Sequence, residues 1–237
     1  MAETVKLGLG LVEASQAQKH VTVNEALARI DALVQLTLAS RSLAVPPGAP
    51  GEGAAYAVPD GASGAWTGQD GRVALYLNGG WTYLDPAPGW RGWVADEGGP
   101  ALFDGAGWIA GLGAVSPNGA ATTLQVIEVD HDIQPGPASD TAALIPAQSL
   151  VLGVTGRVLQ EVTGAASSWR LGIGGVSDDR YGSGLGLAAG SWARGLTSSP
   201  LAYYGDTALT LTGEGGDLAG GRVRLCVHLA ALALPRA

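Results

Sequence analysis

The chain has 237 residues, 46% of them apolar and only 14% Asp, Glu, Lys or Arg, with 38 Gly and a formal net charge of −8. There is ample apolar material for a buried core, which excludes a disordered polymer. The acidic balance and the lack of any Lys/Arg cluster argue against nucleic acid, whose phosphates need a basic field, and against an anionic membrane surface.

The opening stretch, MAETVKLGLGLVE, has an acidic residue at position 3 and no long apolar run. It reads as lacking a secretory signal, and no segment approaches the roughly 20 apolar residues of a membrane span. The single cysteine, Cys226, cannot form an intrachain disulfide, and no Cys/His spacing matches a zinc site. No metal or cofactor is expected.

Residues 1–44 carry the one convincing helical period. Thr22 and Glu25 read as a capping box, which places a helix from 23 to about 39. Val23, Leu27, Ile30, Val34 and Thr37 are spaced 4, 3, 4 and 3, a heptad seam that Ala26, Leu33 and Leu36 widen. A lone helix this short is marginal in water, so its stripe must be covered by the rest of the chain or by copies of itself. Lys19, His20, Asn24, Glu25, Arg29 and Asp31 then fall at the cap and on the polar flank of the seam, where a surface or interhelical role is favoured over catalysis. The expectation is an oligomerisation or attachment segment with Val23, Leu27, Ile30 and Val34 at its seam. VPPGAPGEGAA follows and reads, over 45–58, as a linker.

Residues 59–112 read as small hairpins around tryptophan. YLNGGW places Asn78 and Gly79 between two alternating arms, and LFDGAGW repeats the pattern with Asp104 and Gly105. Trp66, Trp81, Trp90, Trp93 and Trp108 lie here and are expected to make a small core.

From 121 to 237 apolar residues alternate, with Gly, Pro, Asp and Ser turns at regular intervals. This is the pattern of an antiparallel β-sandwich, jelly-roll-like, so the fold class is mainly β with an N-terminal helix. In GRVRLCVHLAAL, Val223, Leu225, Val227 and Leu229 point one way and Arg222, Arg224, Cys226 and His228 the other.

Chemistry is weighed against scaffolding at each candidate. Cys226 and His228 share a strand face, but no third residue orients them and no turn presents the thiol. Asp130, His131 and Asp132, with Asp178 and Asp179, hold enough carboxylates for glycoside hydrolysis, yet neighbours on a strand point to opposite faces. Turn and strand-end roles are favoured, although a sandwich could bring the two clusters together. The run GLGLAA contains G-x-G-x-x-A, with no helix after it to receive a phosphate. The chain reads as no enzyme, with no catalytic residues assigned.

Aromatic rings beside Arg suit sugar recognition, because pyranose C–H faces pack on rings and hydroxyls take charged hydrogen bonds. Trp192, Arg194, Tyr181, Tyr203 and Tyr204 are the candidate contacts for a glycan or a partner protein. Trp192 lacks apolar alternation around it and reads as exposed, whereas Trp169 alternates with Leu171 and Ile173 and reads as core.

The segments QAQKHVTVNEALARIDALVQL, FDGAGW, SLVLGVTGRV, SWRLGIGG, LAYYGDTALTLTGEGG and GGRVRLCVHL together resemble an uncharacterised domain family of bacterial prophages and gene transfer agents, from about residue 7 to 232. The resemblance implies a structural or receptor-attachment component of a phage-like particle, such as a gene transfer agent head spike or fibre, made in the bacterial cytoplasm. Because a spike needs a single axis, a cyclic homo-oligomer is expected, a trimer for a free fibre or a pentamer on a five-fold vertex, with capsid or a second spike subunit as partner and host capsular polysaccharide contacted either directly or through that partner. It brings no catalytic residues. A carbohydrate-binding module is the runner-up reading, and a glycan depolymerase the third.

Overall fold

The computed structural model describes residues 2–12 and 19–236, in two compact units, 1–112 and 113–237. Residues 16–18 of the QAQKH motif, and the Lys19 side chain, lie outside the described residues.

The first unit holds helix α1 (Lys19–Val34) and strands β1 (Thr37–Leu38), β2 (Ala55–Ala57), β3 (Val73–Leu77), β4 (Gly80–Leu84), β5 (Arg91–Val94), β6 (Gly99–Phe103) and β7 (Trp108–Ala110). They form one seven-stranded sheet in the order β4-β3-β2-β1-β5-β6-β7, with β1 parallel to both of its neighbours. The Asn78–Gly79 turn joins β3 to β4 with positive φ at both residues (53° and 75°), the backbone a two-residue hairpin requires. In the β6–β7 loop, Asp104 accepts the Ala106 and Gly107 N–H groups, both at 3.0 Å.

Three readings are corrected. The described helix spans Lys19–Val34, so Thr22 and Glu25 lie inside it and form no capping box, and it ends at Val34 rather than near 39. Past it the period changes to two, with Gln35 and Thr37 exposed and Leu36 and Leu38 buried, and the chain enters β1. The stretch 45–58 is no linker, because Ala55–Ala57 is a strand paired with β1 and β3; the two compact units divide after Leu112, where the hairpin region is expected to end. The tryptophans do not share one core: Trp66 is buried against Tyr56 and Trp81, ring centroids 5.3 and 5.2 Å away, whereas Trp93 is exposed.

Residues 2–12 fold back as a hairpin bridged at Glu3 and Gly10. Asp31, on α1, fastens it. The buried carboxylate accepts the Thr4 hydroxyl (2.8 Å) and the N–H groups of Lys6 (2.9 Å) and Leu7 (2.5 Å). Two turns earlier Asn24 clasps the Val12 backbone, accepting its N–H at 2.9 Å and donating to its carbonyl at 3.1 Å. The surface or interhelical role expected of Asp31 is corrected: it is a buried acceptor for the hairpin.

The second unit holds β8 (Leu112–Val115), β9 (Ala121–Asp132), β10 (Ala138–Ile145), β11 (Ser149–Gly164), β12 (Ser168–Ile173), β13 (Ser177–Leu185), β14 (Trp192–Tyr203), β15 (Thr207–Glu214) and β16 (Leu218–Ala233). A four-stranded sheet, β10-β15-β12-β13, faces a five-stranded sheet, β14-β11-β16-β9-β8. Their core interleaves Ile145, Trp169, Leu171, Leu209 and Leu211 of the first with Val154, Val158, Val223, Leu225 and Val227 of the second. This is the expected sandwich, with Trp169 inside.

Burial raises the Asp31 carboxyl's pKa, but the Lys6 and Leu7 N–H groups, the Thr4 hydroxyl and the Lys6 charge outweigh it, so the group titrates below its ordinary value. A depressed carboxyl contributes stability above its unfolded pKa of about 3.9 that is lost as pH falls through the lower folded value. Protection of the Lys6 and Leu7 amides relative to their intrinsic exchange rates is expected to be lost selectively on acidification through that window. Asp31→Ala should produce the same release at neutral pH and cost about 1–3 kcal/mol, measurable by denaturant unfolding.

Candidate functional site

The pleat builds a continuous surface on the outer face of the five-stranded sheet. Register sets Trp192 of β14 beside Arg157 of β11, Arg157 beside Arg224 of β16, and Arg224 beside Asp130 of β9. The adjacent row runs Arg194, Thr155, Cys226 and Glu128. Directly opposed side chains in such rows stand about 5 Å apart, close enough to act together. A third row, Leu196, Gly153, His228 and Val126, begins an apolar half that Leu124 and Leu150 continue.

Charge is graded across the rows. On the β9 side, Arg224 forks onto Asp130 at 2.6 and 2.8 Å, and Arg222 lies 3.5 Å from Asp132. The hydrogen bond from Arg224 holds the Asp130 carboxyl below the usual range. On the β14 side, Arg157 donates to the Gly190 carbonyl at 3.0 Å and Arg194 lies over the Trp192 ring at 5.7 Å. Neither of these two guanidiniums meets a carboxylate among the described residues. With Thr155, they line a shallow depression of about 350 Å³ at Trp192, which is 61% exposed.

The other aromatic candidates divide. Tyr204 is 78% exposed but lies outside this depression. Tyr181 is corrected: it is 1% exposed, a core residue whose hydroxyl meets that of half-buried Tyr203 at 2.8 Å, and it has no face to offer a ligand. Arg157 and Arg224 were not among the expected contacts. The signal that could have found Arg157 is its place outward on SLVLGVTGRVLQEV, but the register that sets it beside Trp192 is not written in either strand.

Helix α1 offers the second candidate surface. Val23, Ile30 and Val34 are 42%, 48% and 57% exposed, while Asn24, Ala28, Asp31 and Ala32 turn inward, roughly 100° around the helix. Leu27 lies between the two faces and is half-buried. A cavity of about 410 Å³ beside the inward face is lined by Glu3, His20, Asn24, Glu25 and Glu52, with Asp31 already committed to the hairpin.

Nucleophile and carboxylate candidates are engaged structurally. His228 meets the Thr155 hydroxyl at 3.0 Å, and Cys226 donates to Glu128 at 3.4 Å. Asp178 pairs with Arg170 at 2.8 Å on the four-stranded sheet, whereas Asp130 and Asp132 lie on the five-stranded one, so the two acidic clusters do not converge. Residues 184–189 run from β13 into coil, where the Gly186 carbonyl takes the Trp169 indole N–H at 3.0 Å.

Residues 23–109 match a family described as a protein of unknown function, DUF2793. The match lies within the first unit and is narrower than the resemblance traced from about residue 7 to 232. A chain of the cyanophage Pam1 capsid asymmetric unit is 21% identical over 51% of this chain and 91% of that chain, with a TM-score of 0.34. No curated protein matches.

Burial, followed by the contact with Glu128, raises the Cys226 pKa, so little thiolate is present near neutrality. Alkylation by iodoacetamide at pH 7.5–8 is expected to be markedly slower than for glutathione, as read by mass spectrometry (pH chosen near about 8.5, the ordinary thiol pKa). Reaction as fast as the free thiol would contradict the half-buried, hydrogen-bonded placement.

Proposed function

We propose that the chain is a structural component of a phage-like particle, a head spike or fibre of the gene transfer agent kind, that self-associates through α1 and uses the sandwich for contact with a host glycan or a second particle protein. The observation that carries this reading is the free apolar stripe of Val23, Ile30 and Val34 on a helix whose other face is already in use. Together with half-buried Leu27, this is the heptad spacing that helices use to pack on one another.

The resemblance to prophage and gene transfer agent proteins supports the particle setting. A spike on a single axis calls for cyclic symmetry, a trimer for a free fibre or a pentamer on a five-fold vertex. Seam burial could contribute roughly 1.5–3 kcal/mol for each side chain fully removed from water, before the ordering cost is subtracted. Attachment without turnover is the role proposed, and incubation with capsular or cell-wall glycans should release no reducing ends.

Light scattering on the full chain is expected to give a trimer or pentamer for the wild type and a monomer for Ile30→Asp, with unchanged circular dichroism. Monomer masses for both would remove the helix from assembly. Electron microscopy of particles from a deletion strain should show heads lacking a projection, and intact projections would sink the particle role.

A further inference from the structure

We infer that the depression at Trp192 binds an acidic saccharide, the sugar ring resting on the indole and its carboxylate held by Arg157 and Arg194. This deepens the surface-contact role proposed for the sandwich and rests on it for the biological setting.

Three observations converge on that ligand class. Trp192 stands on the sheet surface, 61% exposed, flanked by buried Ala193 and therefore directed outward by the pleat. A large aromatic left in water on an ordered strand has a face available for C–H stacking. Second, the nearby cations are of two kinds: Arg222 and Arg224 are neutralised by Asp130, Asp132 and Glu128, whereas Arg157 and Arg194 lack a carboxylate partner among the described residues. A planar guanidinium is matched by a carboxylate, which it binds through two parallel hydrogen bonds. Third, the depression, about 350 Å³ and open along the sheet, is at the lower end of small-ligand sites and adds the Thr155 hydroxyl for a sugar hydroxyl.

The same features weigh against other anions. Nucleic acid would need a longer basic track than two guanidiniums supply. An acidic peptide would use the guanidiniums but has no need of the indole. The indole beside two guanidiniums that lack a carboxylate partner among the described residues is what a uronic acid ring requires.

The test is calorimetry of the full chain with oligogalacturonate, its methyl ester and poly-glutamate. Oligogalacturonate is expected to bind, with the ester weaker by about tenfold or more, and Trp192→Ala and Arg194→Gln are each expected to weaken binding to a similar extent. Arg222→Gln on the same face should bind as wild type. Arg194 makes no hydrogen bond or ion pair among the described residues, so Arg194→Gln remains informative if Trp192→Ala fails to fold. Equal affinity for acid and ester, or no binding at millimolar oligogalacturonate, would overturn the inference. So would tighter binding to poly-glutamate that Trp192→Ala leaves unchanged, which would assign the face to an acidic protein segment. Immunogold labelling of particles separates the two claims: labelled particles with no saccharide binding refute this inference alone, and saccharide binding with unlabelled particles refutes the particle role alone.

Discussion

The pairing of β11 with β16 fixes the second unit. Both strands run 16 residues, and their register joins Val154 to Val227, Gly156 to Leu225 and Arg157 to Arg224. Because side chains alternate with a period of two, this register decides core and surface together. A slip of one residue would carry Arg222 and Arg224 into the core and expose Val223 and Leu225, at a desolvation cost of several kcal/mol per buried ion. The row from Trp192 to Asp130 is the outward half of the constraint that packs the sandwich.

Closure along the other edge depends on small residues. Where β14 passes the backbone of β13, Gly195 lacks the side chain that would collide with it; a Cβ there would lie 2.3 Å from the Tyr181 carbonyl oxygen. That approach lets the buried Tyr181 ring fill the core and its hydroxyl reach Tyr203 at 2.8 Å. It also fixes which side of β14 faces in. Ala193 goes to the core, and Trp192 and Arg194 on either side of it must point to solvent.

Where a single period dominates, the structure was legible in the sequence. GRVRLCVHLAAL gave its inner and outer faces correctly, YLNGGW its turn, and the missing alternation around Trp192 its exposure. Tyr181 was not legible, because SDDRYGSGL has no apolar alternation and the residue is buried by the approach of β14, a contact between distant segments. The helix start failed for a different reason. Thr22 and Glu25 have capping-box spacing, but that spacing also occurs inside helices, and here both residues are helical. Asp31 was misplaced because a carboxylate beside an apolar seam looks solvated until the donors of Thr4, Lys6 and Leu7, more than 20 residues away, are counted.

Helix α1 reverses the usual amphipathic arrangement. A surface helix commonly buries its branched apolar residues and exposes its polar ones. Here Asn24 and Asp31 hold the backbone of the 2–12 hairpin, Ala32 and Leu33 pack on the core of the seven-stranded sheet, and the branched residues Val23, Ile30 and Val34 are left outside. A hairpin of 2–12 covers a helix with N–H groups as much as with apolar side chains, so the inward face must offer oxygen acceptors, as Asp31 and Asn24 do. Cover of that kind removes little apolar surface from water. Val23, Ile30 and Val34 therefore leave an apolar stripe that the described chain does not bury, and its heptad spacing suits a second helix better than a flat sheet.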